Sequence, residues 1–130
     1  FFTYVFGPWN EIDIEYLGGQ NAIQYNLIWD NGADTQRQYK PHYDSETEQL
    51  TSMTEFHHYA FEWTPGSVKF YIDGQLHHTE SGSEAAQLKL AASLRMNLWP
   101  SSDGFAGNFD PSAIPTESWY DWVRVYSYNP

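Results

Sequence analysis

The sequence contains no cysteine, which excludes a disulfide framework and any thiolate metal site. Cationic side chains are scarce: 6 lysines and arginines stand against 17 aspartates and glutamates, a formal net charge of −11. So acidic a surface repels phosphate backbones and anionic headgroups, which argues against nucleic acid and membrane as partners and leaves a neutral polymer open. No apolar run reaches the roughly 20 residues of a membrane-spanning helix, and no stretch has the order of a signal peptide. An N-x-S/T glycosylation acceptor is also missing, because every asparagine fails at the third position. There is no helical stripe of useful length, no internal repeat and no low-complexity linker. The 130 residues suffice for one domain with its own core, 1–130. The chain opens on Phe1 rather than methionine, so residues upstream of it are expected.

What the chain has is aromatic residues, 18% of the total, in short runs bounded by turn residues. Phe1 to Phe6 reads as a strand with Phe2 and Tyr4 on one face, broken by Gly7-Pro8. A second strand begins at Trp9 and ends at Gly18-Gly19, and a third spans Asn21 to Trp29 with Gln24 and Asn26 on one face. A weak strand near Arg37–Tyr39 gives way to an acidic loop. Phe56 to Trp63, closed by Thr64-Pro65-Gly66-Ser67, is followed by Val68 to Ile72 and Gln75 to Thr79, joined by the hairpin signal Asp73-Gly74. Lys89 to Leu98 reads as a long strand with Arg95, Asn97 and Trp99 in phase, and Trp119 to Tyr128 as the last. Many short strands at regular intervals predict an all-β sandwich.

One stretch stands out chemically, Glu11-Ile12-Asp13-Ile14-Glu15, where acid and isoleucine alternate strictly. On a strand the isoleucines face a core and the three acids share the other face. Acids two apart lie about 6.5–7 Å apart, so like charges repel and a proton must be retained. The outer pair is separated by about 13 Å of backbone. If each glutamate leans inward by roughly 3–4 Å, the carboxyl groups come to about 5–6 Å. Retaining glycoside hydrolysis needs about 5–5.5 Å between nucleophile and acid/base. The shorter Asp13 leaves room between them. The competing explanation is a solvated face of an edge strand. Two histidine pairs, His57-His58 and His77-His78, do not suggest a metal site, since neighbours on a strand point to opposite faces.

The full run Trp9-Asn10-Glu11-Ile12-Asp13-Ile14-Glu15-Tyr16-Leu17-Gly18 resembles the signature of glycoside hydrolase family 16. The motif lacks the methionine bulge of some branches, so the chain resembles the 1,3-1,4-β-glucanases (licheninases) and the xyloglucan-type transglycosylases more than the laminarinases. Runs such as Gln24-Tyr25-Asn26 and Arg95-Met96-Asn97-Leu98-Trp99 most resemble the licheninases. The resemblance implies a concanavalin-like jelly roll of two curved antiparallel sheets, with a cleft across the concave face. It implies Glu11 as nucleophile, Glu15 as general acid/base and Asp13 as hydrogen-bonding helper. Phe2, Tyr4 and Trp9 are expected to face substrate, and Gln24 and Asn26 to contact sugar hydroxyls. Arg95, Asn97 and Trp99 are expected to line the cleft, with Phe105 standing where many relatives carry tryptophan. Asp121 is the candidate ligand of a structural calcium; no cofactor is expected for catalysis.

By the same resemblance, the substrate is a neutral β-glucan and the protein is secreted and extracellular. The resemblance covers nearly the whole chain but only part of the family's domain, so a complementary segment or chain is expected to supply the upstream strands. The implied reaction is double-displacement hydrolysis. A transglycosylase of the same family, and a lectin-like glucan-binding sandwich without catalysis, are the alternatives.

Overall fold

A computed structural model describes residues 1–30, 55–102 and 104–129, together with the backbone course of 37–44. Among the described residues, eight strands form two antiparallel sheets. The first holds five, in the order β4 (Arg37–Asp44), β3 (Ala22–Asp30), β2 (Asn10–Leu17), β1 (Phe2–Val5) and β8 (Ser93–Arg95). The second is a meander of β5 (Tyr59–Thr64), β6 (Ser67–Ile72) and β7 (Gln75–Ser81).

The alternation of β2 sorts its side chains as expected. Ile12 and Ile14 enter a core shared with Ile23, Tyr25, Leu27 and Trp29 of β3. Opposite them, β6 contributes Val68, Phe70 and Ile72. Tyr25 and Phe70 stack across the two sheets at 4.8 Å. Removing these rings and branched chains from water is the main force holding the layers together. The hairpin turns follow their residues. Asp73 and Gly74 take φ of 50° and 79°, the two left-handed positions of a primed turn, which glycine adopts without strain.

Four strand expectations are corrected. The weak strand at Arg37–Tyr39 extends to Asp44, pairing along β3 from Asp30 back to Ile23. Pairing with an open strand edge replaces periodicity there, and Pro41 is tolerated because β4 ends the sheet order. The strand expected from Phe56 begins only at Tyr59. The His58 backbone is already engaged, donating to Asp73 Oδ1 at 2.8 Å and accepting from the Asp73 N–H at 2.8 Å. The long strand Lys89–Leu98 shrinks to Ser93–Arg95, because β1 is only four residues long and the N–H groups of Lys89 and Leu90 go to Asn10 Oδ1 instead. Trp119–Tyr128 forms no ladder, and every residue of it is exposed. A strand requires a backbone partner, and among the described residues none pairs with this segment, which they meet through side chains such as Trp122 against His58.

Candidate functional site

The register of the five-stranded sheet assembles the site. Tyr4 is opposite Glu11, and Phe2 is opposite both Asp13 and Arg95. On the other side of β2, Asp13 is opposite Asn26 and Glu15 opposite Gln24. Residues directly opposite share a face, so these eight side chains all lie on the face turned away from the core. The backbone pairing thus brings Phe2, Tyr4, Gln24, Asn26 and Arg95 to the face that carries the acidic trio.

Burial divides the trio. Glu11 and Glu15 are half-buried, whereas Asp13 is only 3% exposed. Burial, then the charges of Glu11 and Glu15, and then a hydrogen bond with Glu11 push the Asp13 carboxyl up to about 9. Asp13 thus holds a proton at neutral pH and is a donor within the trio. Burial also raises Glu15; the Phe1 amino group opposes this and the Glu11 charge adds to it. A raised carboxyl is the requirement for a group that must deliver a proton. Beside the trio, Gln24 and Asn26 are buried, and their side-chain oxygens, with Asp13 Oδ1, meet no donor among the described residues. Three unmatched acceptors form the floor of the site.

Trp9 lies on the same side, in phase with Glu11. Its indole N–H donates to Glu11 Oε2 at 2.5 Å. The ring is fixed edge-on by Tyr4 at 4.8 Å and Phe6 at 6.0 Å. The Arg95 guanidinium sits 4.9 Å from the centre of the Tyr4 ring.

The remaining expected residues lie beyond β8. Asn97 and Trp99 no longer follow strand phase, since the ladder ends at Arg95. Trp99 instead stacks on Phe105 at 6.2 Å, nearly parallel, on the loop past β8. The Asn97 carbonyl accepts from the Tyr120 hydroxyl at 3.3 Å. Asp121 is exposed on the unpaired segment, and the described residues hold no cluster of three or more acidic or histidine side chains able to bind a metal. The side chains around Asp121 therefore do not make a calcium site by themselves.

Asn10 is a residue that sequence reasoning passed over. It is buried, accepts the Lys89 and Leu90 N–H groups at 2.8 and 3.1 Å, and donates to the Trp9 carbonyl at 2.6 Å. It thereby ties the start of the acidic strand to the segment feeding β8. Its position directly before Glu11 was the available signal, but its partners are about 80 residues away along the chain.

Comparison with known proteins gives a consistent answer. The beta-glucanase of Fibrobacter succinogenes is 36% identical over 125 residues, covering 95% of this chain and 35% of that protein. The beta-glucanase of Brevibacillus brevis is 35% identical over 133 residues, covering 95% and 48%. The solved structure of Bacillus licheniformis beta-glucanase, 32% identical, matches with a TM-score of 0.57 over 85% of this chain and 50% of that one. The sandwich is accordingly the jelly roll of that enzyme, and the chain spans a third to a half of the length of the curated relatives it matches. The profile described as Glycosyl hydrolases family 16 matches residues 2–124, from the strand before the acidic trio to the exposed segment after it. With its motif, its register and nearly its whole length in agreement, the chain belongs to glycosyl hydrolase family 16.

Proposed function

We infer that this chain carries the catalytic strand of a retaining endo-β-glucanase that hydrolyses mixed-linkage 1,3-1,4-β-glucan. One observation carries the reading: Glu11, Asp13 and Glu15 share the outer face of a strand whose other face is anchored in the core, with the proton of the trio held on the buried Asp13. The naming of the relatives as beta-glucanases supports the substrate class.

In this reaction Glu11 attacks the anomeric carbon while Glu15 gives its proton to the departing glycosidic oxygen. A covalent glycosyl ester on Glu11 results, with inverted configuration. Glu15, now a carboxylate, takes a proton from water, which attacks the same carbon and restores the β-anomer. Loss of the Glu11 charge on esterification removes one of the influences that raise Glu15, which favours its ionised form, the form that the base of the second step requires. Asp13 donates to Glu11 and limits the repulsion between the outer carboxylates.

The test is reducing-sugar release by the purified protein from barley glucan, laminarin and xyloglucan. Release is expected fastest from barley glucan, with a bell-shaped dependence on pH because one acid must be ionised and the other protonated. Activity that stays flat from acid to neutral pH, or release from none of the three, counts against the pair. Products lengthened by added oligosaccharide would indicate transglycosylation.

Trp9 gives a finer test. Trp9→Phe keeps the edge-on packing with Tyr4 and Phe6 but removes the donor to Glu11. A hydrogen bond to a charged group contributes about 1.5–3 kcal/mol, so kcat should fall about tenfold or more with little change in KM. An unchanged kcat would show that the indole N–H does not orient the nucleophile.

Three further parts of the reading rest on the family resemblance. We place the protein outside the cell, where its polymeric substrate lies. A structural calcium at Asp121 requires ligands other than the described side chains, and no step above runs through it. A complementary segment is assigned to the exposed aromatics of the 119–128 run, Trp119 at 74% and Tyr126 at 79% exposure among them, since so many large apolar side chains exposed along one run call for a cover.

A further inference from the structure

The turn between β2 and β3 carries a contact that the reaction above does not use. The Gly19 N–H donates to the Ala106 carbonyl at 2.6 Å, and Gln20 Nε2 donates to the Phe105 carbonyl at 2.6 Å. Beside these bonds the backbones of Gly19 and Gly107 touch. A Cβ placed on Gly19 would lie 2.3 Å from Gly107 Cα, and one on Gly107 would lie 2.4 Å from Gly19 Cα. No side chain fits at either position without moving backbone. Gly107 has φ of +94°, but Gly19 is outside the left-handed region, so position 19 excludes bulk rather than a backbone angle.

The segment held by this contact is the one bearing the stacked Trp99 and Phe105 rings, with Trp99 47% exposed. The turn itself follows directly on the strand that carries Glu15. We propose that Gly19 and Gln20 are positioning residues that fix the aromatic loop beside the Glu15 end of the catalytic strand, and so determine how tightly a glucan chain is held. This rests on the glucanase reading given above.

An exposed indole presents a flat apolar face that suits the C–H face of a sugar ring, and its contribution depends on where its loop stands. Two backbone carbonyls of that loop are held from a turn that continues directly from an eight-residue strand built into the sheet. Neither Gly19 nor Gln20 is part of the acidic trio, so loosening the contact changes binding and leaves the bond-breaking groups in place.

Three substitutions separate the possibilities. Gly19→Ala forces the two backbones apart. Gln20→Glu keeps the side-chain shape but turns an acceptor toward the Phe105 carbonyl, and Gln20→Lys restores a donor. In the otherwise unaltered protein, Gly19→Ala should raise KM for barley glucan about tenfold and Gln20→Glu about threefold, with kcat within about twofold in both. Gln20→Lys should return KM to within about twofold of the starting value.

Binding of a mixed-linkage gluco-oligosaccharide, measured by calorimetry with Glu11→Ala added to each variant, should weaken by the same factors. An unchanged KM and affinity in Gly19→Ala, with melting temperature preserved, overturns the proposal, as does a fall in kcat at constant KM. If Gly19→Ala fails to fold, the Gln20→Glu and Gln20→Lys pair decides. No oligosaccharide binding with the turn intact would instead overturn the glucanase reading itself, because that result does not depend on positions 19 and 20.

Discussion

Glu11→Ala should reduce turnover of β-glucan by at least about a thousandfold while leaving oligosaccharide affinity within a fewfold. The asymmetry follows from where Glu11 stands. It is half-buried on the outer face of β2, and the core face of the strand is held by Ile12 and Ile14, so shortening its side chain removes no core packing. What disappears is the atom that bonds to the anomeric carbon. The space left behind is bounded by the Trp9 indole N–H, which has lost its acceptor, and by Tyr4 across the strand pair. Azide is a small anion able to enter such a space. With an activated aryl β-oligoglucoside as substrate, azide should restore activity and yield an α-glycosyl azide, because attack from the nucleophile's side inverts the carbon once. Chromatography and proton NMR of the product read the configuration directly. A β-azide, or undiminished turnover by the variant without azide, would remove Glu11 from the nucleophile's role.

The acidic strand was legible because its information is local. Alternation over Glu11 to Glu15 fixes which residues share a face, and the anchoring isoleucines agree with that assignment. The hairpins at Pro65-Gly66 and Asp73-Gly74 were legible for the same reason, since the turn residues set the backbone angles. The segments after Leu88 were not. Lys89 to Leu98 and Trp119 to Tyr128 have strand-like composition, but whether a backbone pairs depends on a neighbour far along the chain. Asn10 takes the N–H groups of Lys89 and Leu90, and the 119–128 segment has no ladder partner among the described residues.

The site shows the same division. Phase along each strand put Phe2 with Tyr4, and Gln24 with Asn26, on one face, and the pairing between strands is what brings those faces beside the acids. Phase failed for Trp99 because the strand on which it was counted ends at Arg95. Gly18-Gly19 reads in sequence as a strand terminator. Only the tertiary structure shows that the second glycine is also there to let Gly107 approach.

Asp13→Asn should make the protein more stable as pH rises, while slowing the reaction about tenfold without abolishing it. In the folded chain Asp13 is held at about 9 against an ordinary 3.8, chiefly by burial and then by the flanking glutamates. Between those two values the folded state keeps a proton that the unfolded state has released. Stability contributed at this position is therefore fully present at acid pH and is lost as pH climbs from about 4 toward 9. Asparagine has the same shape and never ionises, so the variant escapes that loss. Near pH 4 the two proteins should melt together. At pH 7 the variant should be ahead by on the order of 2 kcal/mol, less than the whole shift converts to, because the floor of the site retains its unmatched acceptors. That difference corresponds to several degrees in melting temperature for a chain of this size. Its amide N–H still donates to Glu11, which is why turnover persists. Melting curves for both proteins at several pH values decide the matter: a gap that is constant with pH, or one that widens toward acid, would mean that Asp13 is ionised in the folded protein and that the trio keeps its proton elsewhere.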